Sequence, residues 1–123
     1  MDKVRNFRDL RVWQKAHDLV LTVYRVTDNF PQGELYGLTS QVRRAAVSVA
    51  ANIVEGSSRR SCKDLCHFLN LSQGSNEELK YLLILSADLS FLPKSALPAM
   101  LETADHVGAM LHALMRSLES PRS

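Results

Sequence analysis

The chain has 123 residues, of which 46% are hydrophobic and 23% charged, with only 5 Gly and 4 Pro. That length fits one domain over residues 1–123. The composition is globular rather than disordered, and the scarcity of Gly and Pro excludes a turn-rich β-sandwich. The formal charge is +2 and unevenly spread, with 10 Lys/Arg against 6 Asp/Glu in residues 1–60 and 5 against 7 in residues 61–123.

Punctuation at residues 28–33, 56–61 and 91–95 divides the chain into four segments, predicted as helices over about 9–28, 35–55, 62–90 and 96–118. In the first, Leu10, Trp13, His17, Val20 and Tyr24 form one stripe at helical spacing. Val12, Ala16, Leu19, Val23 and Val26 form a second stripe beside it. In the second, Leu35, Leu38, Val42, Ala45, Val49 and Ile53 recur every three or four residues, and Gly56 stands where a left-handed residue would end the helix. The third opens on Ser61 with Asp64 three residues on, the spacing of an N-terminal cap. Its stripe is Leu65, Phe68, Ser72, Ser75, Leu79, Leu82, Ser86 and Leu89, and its run Leu82, Leu83, Ile84, Leu85 is apolar on most sides. In the fourth, Ser95 is positioned to cap and Pro98 falls in the first turn, where a missing N–H costs little. Met100, Ala104, Val107, Leu111, Leu114 and Leu118 then form a heptad-like seam. Gly74 and Gly108 lie inside helices and read as points of close helix approach.

Short connections between long helices predict an all-α, up-down-up-down antiparallel four-helix bundle. The double stripe of the first helix and the broad apolar run of the third exceed what one bundle core needs, which predicts a homo-oligomer.

No run approaches the about 18 apolar residues of a membrane-spanning helix. The opening MDKVRNFRDLRVWQK lacks the apolar stretch of a secretory signal. Two cysteines cannot form a disulfide framework, so a reducing cytoplasm is the expected compartment. Cys62, Cys66 and His67 lack two further ligands at supporting spacing, so no metal or other cofactor is expected. No nucleophile-elbow, P-loop or zincin motif is present, and no enzymatic activity is expected.

Two sets of polar residues remain. Gln41, Arg44, Ser48, Asn52 and Glu55 are spaced three or four apart on one face of the second helix, the pattern of a structural polar network. Arg43, Arg59, Arg60, Lys63, Arg8 and Arg11 are the candidate nucleic-acid-binding residues, because Arg and Lys match phosphate and the basic excess sits in the first half. Lys3, Arg5 and Lys15 crowd the same N-terminal region. No aromatic residue interleaves with the basic ones in 57–63, so base stacking is not expected there.

Residues 38–59 follow the pattern L-x-x-Q-x-R-R-A-x-x-S-x-x-x-N-I-x-E-G-x-x-R, and Phe7, Leu10, Val12 and Trp13 follow F-x-x-L-x-V-W. Phe30-Pro31 with Glu34, and Phe68 with Gly74-Ser75 and Glu78, extend the match over about residues 7–90. In these positions the chain resembles the bacterial four-helix-bundle family also called 23S rRNA intervening-sequence proteins. Gln73 departs from the Ala usual there. The resemblance implies a ring-like homopentamer, related to the accessory variability determinants of diversity-generating retroelements, which bind nucleic acid and a reverse transcriptase. The expected partners are therefore other copies of the chain, RNA or DNA bound without sequence preference, and a reverse transcriptase or an rRNA-related partner. The alternative is a protein-interaction assembly with no nucleic-acid role.

Overall fold

The computed structural model describes residues 6–119, and among these there are four α-helices and no strand. They are α1 (Arg11–Thr27), α2 (Leu38–Ser57), α3 (Cys62–Asp88) and α4 (Leu97–Glu119). Short 3-10 turns at Phe7–Asp9, Gln32–Glu34 and Lys94–Ala96 precede α1, α2 and α4.

The helix starts are set locally. Ser61 Oγ accepts the Asp64 N–H at 3.0 Å, the cap expected from the sequence. Helix α2 begins at Leu38 rather than 35, because residues 32–34 form the tighter turn. Glu34 meets its first N–H group, with Oε1 accepting the Leu38 N–H at 3.1 Å. Leu35, expected in the core stripe, is therefore carried outward and is exposed. Ser95, expected to cap α4, lies inside the turn Lys94–Ala96, and α4 starts at Leu97 with Pro98 in its first turn.

Two glycine expectations are corrected. Gly56 does not end α2 in a left-handed conformation: it has negative φ and lies inside the helix, buried. A Cβ there would stand 2.9 Å from Phe68 Cβ and 3.0 Å from Leu65 Cδ1, so glycine is what lets α3 approach. Gly74 has open space where a Cβ would go, so it serves no close approach. Gly108 does sit against α3, its Cβ position 3.4 Å from Asn76 Nδ2 and Gln73 Oε1.

The core has two clusters. One gathers the start of α1, the end of α2, the start of α3 and the end of α4, around Val12, Ala16, Ile53, Leu69, Val107 and Leu111. The other gathers the opposite halves of the same helices with Phe30 and Leu92. We call these the Trp13 end and the Phe30 end. Between them α3 contributes a polar layer. Ser72 Oγ donates to the Val49 carbonyl at 2.7 Å, Asn76 Nδ2 to the Ala104 carbonyl at 2.8 Å, and Gln73 Nε2 to the Gly108 carbonyl at 3.0 Å. Ser72 and Asn76 are fully buried, so these bonds satisfy groups that would otherwise be costly to bury. One acceptor is not satisfied, since Asn76 Oδ1 has no partner.

The α1 stripe of Val12, Ala16, Leu19 and Val23 is the buried one, while Trp13, His17 and Val20 are half-buried beside it. In α4 the seam holds from Met100 to Leu111, after which Met115 replaces Leu114 in the core. A 3.5-residue repeat on a straight helix of 3.6 residues per turn drifts by about 20° per heptad, which moves the buried line by one position.

Candidate functional site

The polar row of α2 divides into two ion pairs, of Arg44 and of Glu55, and a short chain through Ser48 and Asn52. Arg44 reaches α3, its guanidinium 3.0 Å from Glu78 Oε2. Ser48 Oγ lies 2.7 Å from Ser75 Oγ, and Asn52 Nδ2 donates to Ser48 O and Oγ at 2.9 and 3.1 Å. Glu55 pairs one turn on with Arg59. Gln41 is exposed. Arg44, Ser48 and their α3 partners thus join α2 to α3.

The structure sorts the candidate cations by whether a protein carboxylate already holds them. Arg43 is held three ways. Its Nε donates to Thr27 Oγ1 at 2.8 Å, its Nη2 lies 3.2 Å from Asp28 Oδ1, and its Cζ stands 4.6 Å from the Tyr24 ring centroid. Only 23% of the Arg43 side chain is exposed, so it acts as a brace between α1 and α2. Arg59 is bound to Glu55 and stacks over Phe68, with Cζ 4.7 Å from the ring centroid. Arg8, Arg11, Arg60 and Lys63 are exposed, and none makes an ion pair among the described residues. These four lie at the Trp13 end, Arg8 in the turn before α1, Arg11 at the start of α1, Arg60 in the α2–α3 connection and Lys63 in the first turn of α3, whose N-terminus the cap at Ser61 presents. Lys3 and Arg5 lie outside the described residues.

The Phe30 end is different. Its acids include Glu77, Asp88, Glu102 and Asp105. Lys80 bridges α3 and α4 with Nζ 2.9 Å from Asp105 and 3.1 Å from Glu77. The hydrogen bond to Asp105, then that to Glu77, hold the Lys80 ammonium above its ordinary pKa, against a smaller opposing effect of burial. Here too lies an apolar surface that the helical periods of the chain do not reveal. Tyr24, Leu35, Tyr36 and Val47 border a cleft of about 470 Å³ together with Arg43 and Arg44. Tyr36 is 94% exposed. Tyr and Arg together at one surface are the residue types enriched at protein–protein contact centres. The signal was the cluster of Leu35, Tyr36 and Val47 around the Arg pair, hidden because Leu35 fits the core period.

Cys62 and Cys66 are half-buried, one turn apart in α3, and neither is in a disulfide. Burial, then the Glu119 carboxylate and Cys62, push the Cys66 thiol above its usual pKa, which disfavours the thiolate that metals and electrophiles need. No group of three His, Cys, Asp or Glu among the described residues could hold a metal ion. No helix among them is long and apolar enough to cross a membrane.

No curated protein is similar enough to the chain to count as a match. In three dimensions the chain resembles a protein of unknown function from the S23 ribosomal protein family of Bacteroides thetaiotaomicron VPI-5482, solved by crystallography at 1.70 Å. The two superpose with a TM-score of 0.79 over 85% of this chain and 95% of that one, at 17% identity, a likeness of fold. The family model of the 23S rRNA-intervening sequence protein matches residues 8–113. That span includes the Gln41–Arg59 motif, the Ser48–Ser75 contact and the Gly56 approach, so the chain belongs to the 23S rRNA-intervening sequence protein family.

Proposed function

We propose that the protein is a non-enzymatic, homo-oligomeric scaffold that binds nucleic acid through backbone electrostatics. The observation that carries this is the separation of two surfaces. Arg8, Arg11, Arg60 and Lys63, which make no ion pair among the described residues, gather at the Trp13 end, and an exposed apolar and aromatic surface lies toward the Phe30 end. The apolar surface suits assembly. In an up-down-up-down bundle closed into a ring of five, the number implied by the family resemblance, it faces a neighbouring copy while the cationic ends share one rim. Each copy carries +2, so a ring concentrates charge where a polyanion meets it. RNA or DNA is held without sequence preference in this reading. The compartment is the cytoplasm, and a reverse transcriptase or an rRNA-related protein is the further partner.

The test joins light scattering to a mobility shift at rising salt. The expected result is a multimer whose affinity for a 30-nucleotide RNA falls steeply with ionic strength. Replacing Arg60 and Lys63 by Gln should make that dependence shallower. A stable monomer with no RNA affinity at low salt refutes the proposal.

A second reading has its own support, since Arg43, Arg44 and Arg59 are all committed to protein partners. It is a protein-interaction assembly with no nucleic-acid role. Its sign is a partner complex that survives nuclease and high salt.

A further inference from the structure

Helices α1 and α4 meet through core residues at the Trp13 end, but outside that line of contact they leave a groove of about 470 Å³. It is lined by Arg11, Gln14, Lys15 and Asp18 from α1 and by His106 and Met110 from α4. Arg11 and Lys15 are one turn apart, as are His106 and Met110, so each wall carries two side chains in register along the groove. Among the described residues, Asp18 is the one carboxylate that lines it. Neither Arg11 nor Lys15 makes an ion pair among the described residues, in contrast to Arg43, Arg44, Arg59 and Lys80. Gln14 Nε2 donates to the Arg8 carbonyl at 2.8 Å, which ties the turn bearing Arg8 to the same lip.

We infer that this groove is the track for the phosphodiester backbone of a single nucleic-acid strand. The inference rests on the nucleic-acid reading above and moves its centre from the α2–α3 connection to the α1–α4 face. Cations without a protein counter-ion are free to replace the counterions condensed on a phosphate backbone. Bases can reach the His106 and Met110 wall only from a strand whose bases are unpaired, which favours a single strand over a duplex. The imidazole of His106 gives a base a flat face, and Met110 gives it an apolar floor.

The experiment compares wild type, Arg11→Gln with Lys15→Gln, and Arg60→Gln with Lys63→Gln, all checked by circular dichroism. The probe is a labelled 30-nucleotide RNA, free or annealed to its complement. Removing one cation from its phosphate on a single strand lowers the salt slope by about 0.7 and the affinity at 50 mM salt about 8-fold. The groove pair should therefore lower the slope by about 1.4. In lysine acetylation footprinting by mass spectrometry, RNA should protect Lys15 and leave Lys94 unchanged. The inference is overturned if the connection variant alone loses affinity, which leaves the nucleic-acid function standing. It is equally overturned if Lys15 is not protected or if duplex binds as well as the single strand. Absence of wild-type binding removes both the inference and the function beneath it.

Discussion

Gly56 and Gly74 are both interior helical glycines, and the structure assigns the same Gly→Ala substitution opposite signs at the two sites. Alanine in a helix interior is favoured over glycine by about 1 kcal/mol, since glycine loses more backbone entropy on folding. At Gly74 nothing lies within 4 Å of the new Cβ, so the full gain of about 1 kcal/mol is expected. For a chain of this size that is a rise in Tm of about 3–5 °C. At Gly56 the new carbon would stand 2.9 Å from Phe68 Cβ and 3.0 Å from Leu65 Cδ1. Phe68 Cβ is anchored to the α3 backbone and cannot swing aside, so the two helices must separate. Overpacking of this kind costs about 1–3 kcal/mol, and more when backbone must move. After the helical gain is subtracted, Gly56→Ala is expected to destabilise by about 0–2 kcal/mol, toward the upper end because backbone must move. Urea unfolding followed by circular dichroism, at one fixed protein concentration because assembly shifts apparent stability, reads both variants. If both stabilise by the same amount, α2 and α3 are not in contact at Gly56 and the packing argument is wrong.

Leu83→Ala should cost about 2–5 kcal/mol in the same assay, since Leu83 is fully buried. Ile84→Ala, one residue on and 40% exposed, should cost under about 1 kcal/mol, and equal costs would contradict the helix orientation. Asn76→Asp keeps the shape but places a carboxylate in the polar layer, facing the Ala104 carbonyl that Asn76 now donates to. Burial should raise that carboxyl's pKa in the folded state. The variant should be destabilised by several kcal/mol at pH 7 and regain stability as pH falls and the acid protonates. A deficit independent of pH between about 7 and 4 would place position 76 in water. The Lys80 pKa is raised in the folded protein, so its contribution is complete below the unfolded value of about 10.4 and is lost as pH rises through the folded one. Lys80→Met should therefore cost about 0.5–1 kcal/mol at pH 7, and its deficit should shrink in unfolding curves as the pH rises through the raised folded-state pKa.

The four helices, the Ser61 cap and most of the core are legible in the amino-acid sequence. Each is written in local periodicity or in residues three apart, and burying a stripe at 3.6-residue spacing has few solutions. The expectations that failed depended on what lies across the bundle. Gly56 looked like a terminator because it stands where the second apolar stripe runs out, and only the distance to Phe68 shows that it makes room for α3. Gly74 looked like a packing glycine and faces open space. Leu35 matched the core period but sits on a turn that carries it outward.

The charged residues divide the same way. Composition alone determined that cations are in excess in residues 1–60, and the α2 motif alone determined the family resemblance. The Glu55–Arg59 pair is four residues apart and local, but only the tertiary structure decided that Arg43 is spent on Asp28 and Arg44 on Glu78, with Arg11 and Lys15 left beside a groove. Local patterning specifies which face of a helix turns inward, because burial is repeated at every turn. A charge pair between helices depends on two side chains meeting across a distance, and no period in the chain encodes that meeting.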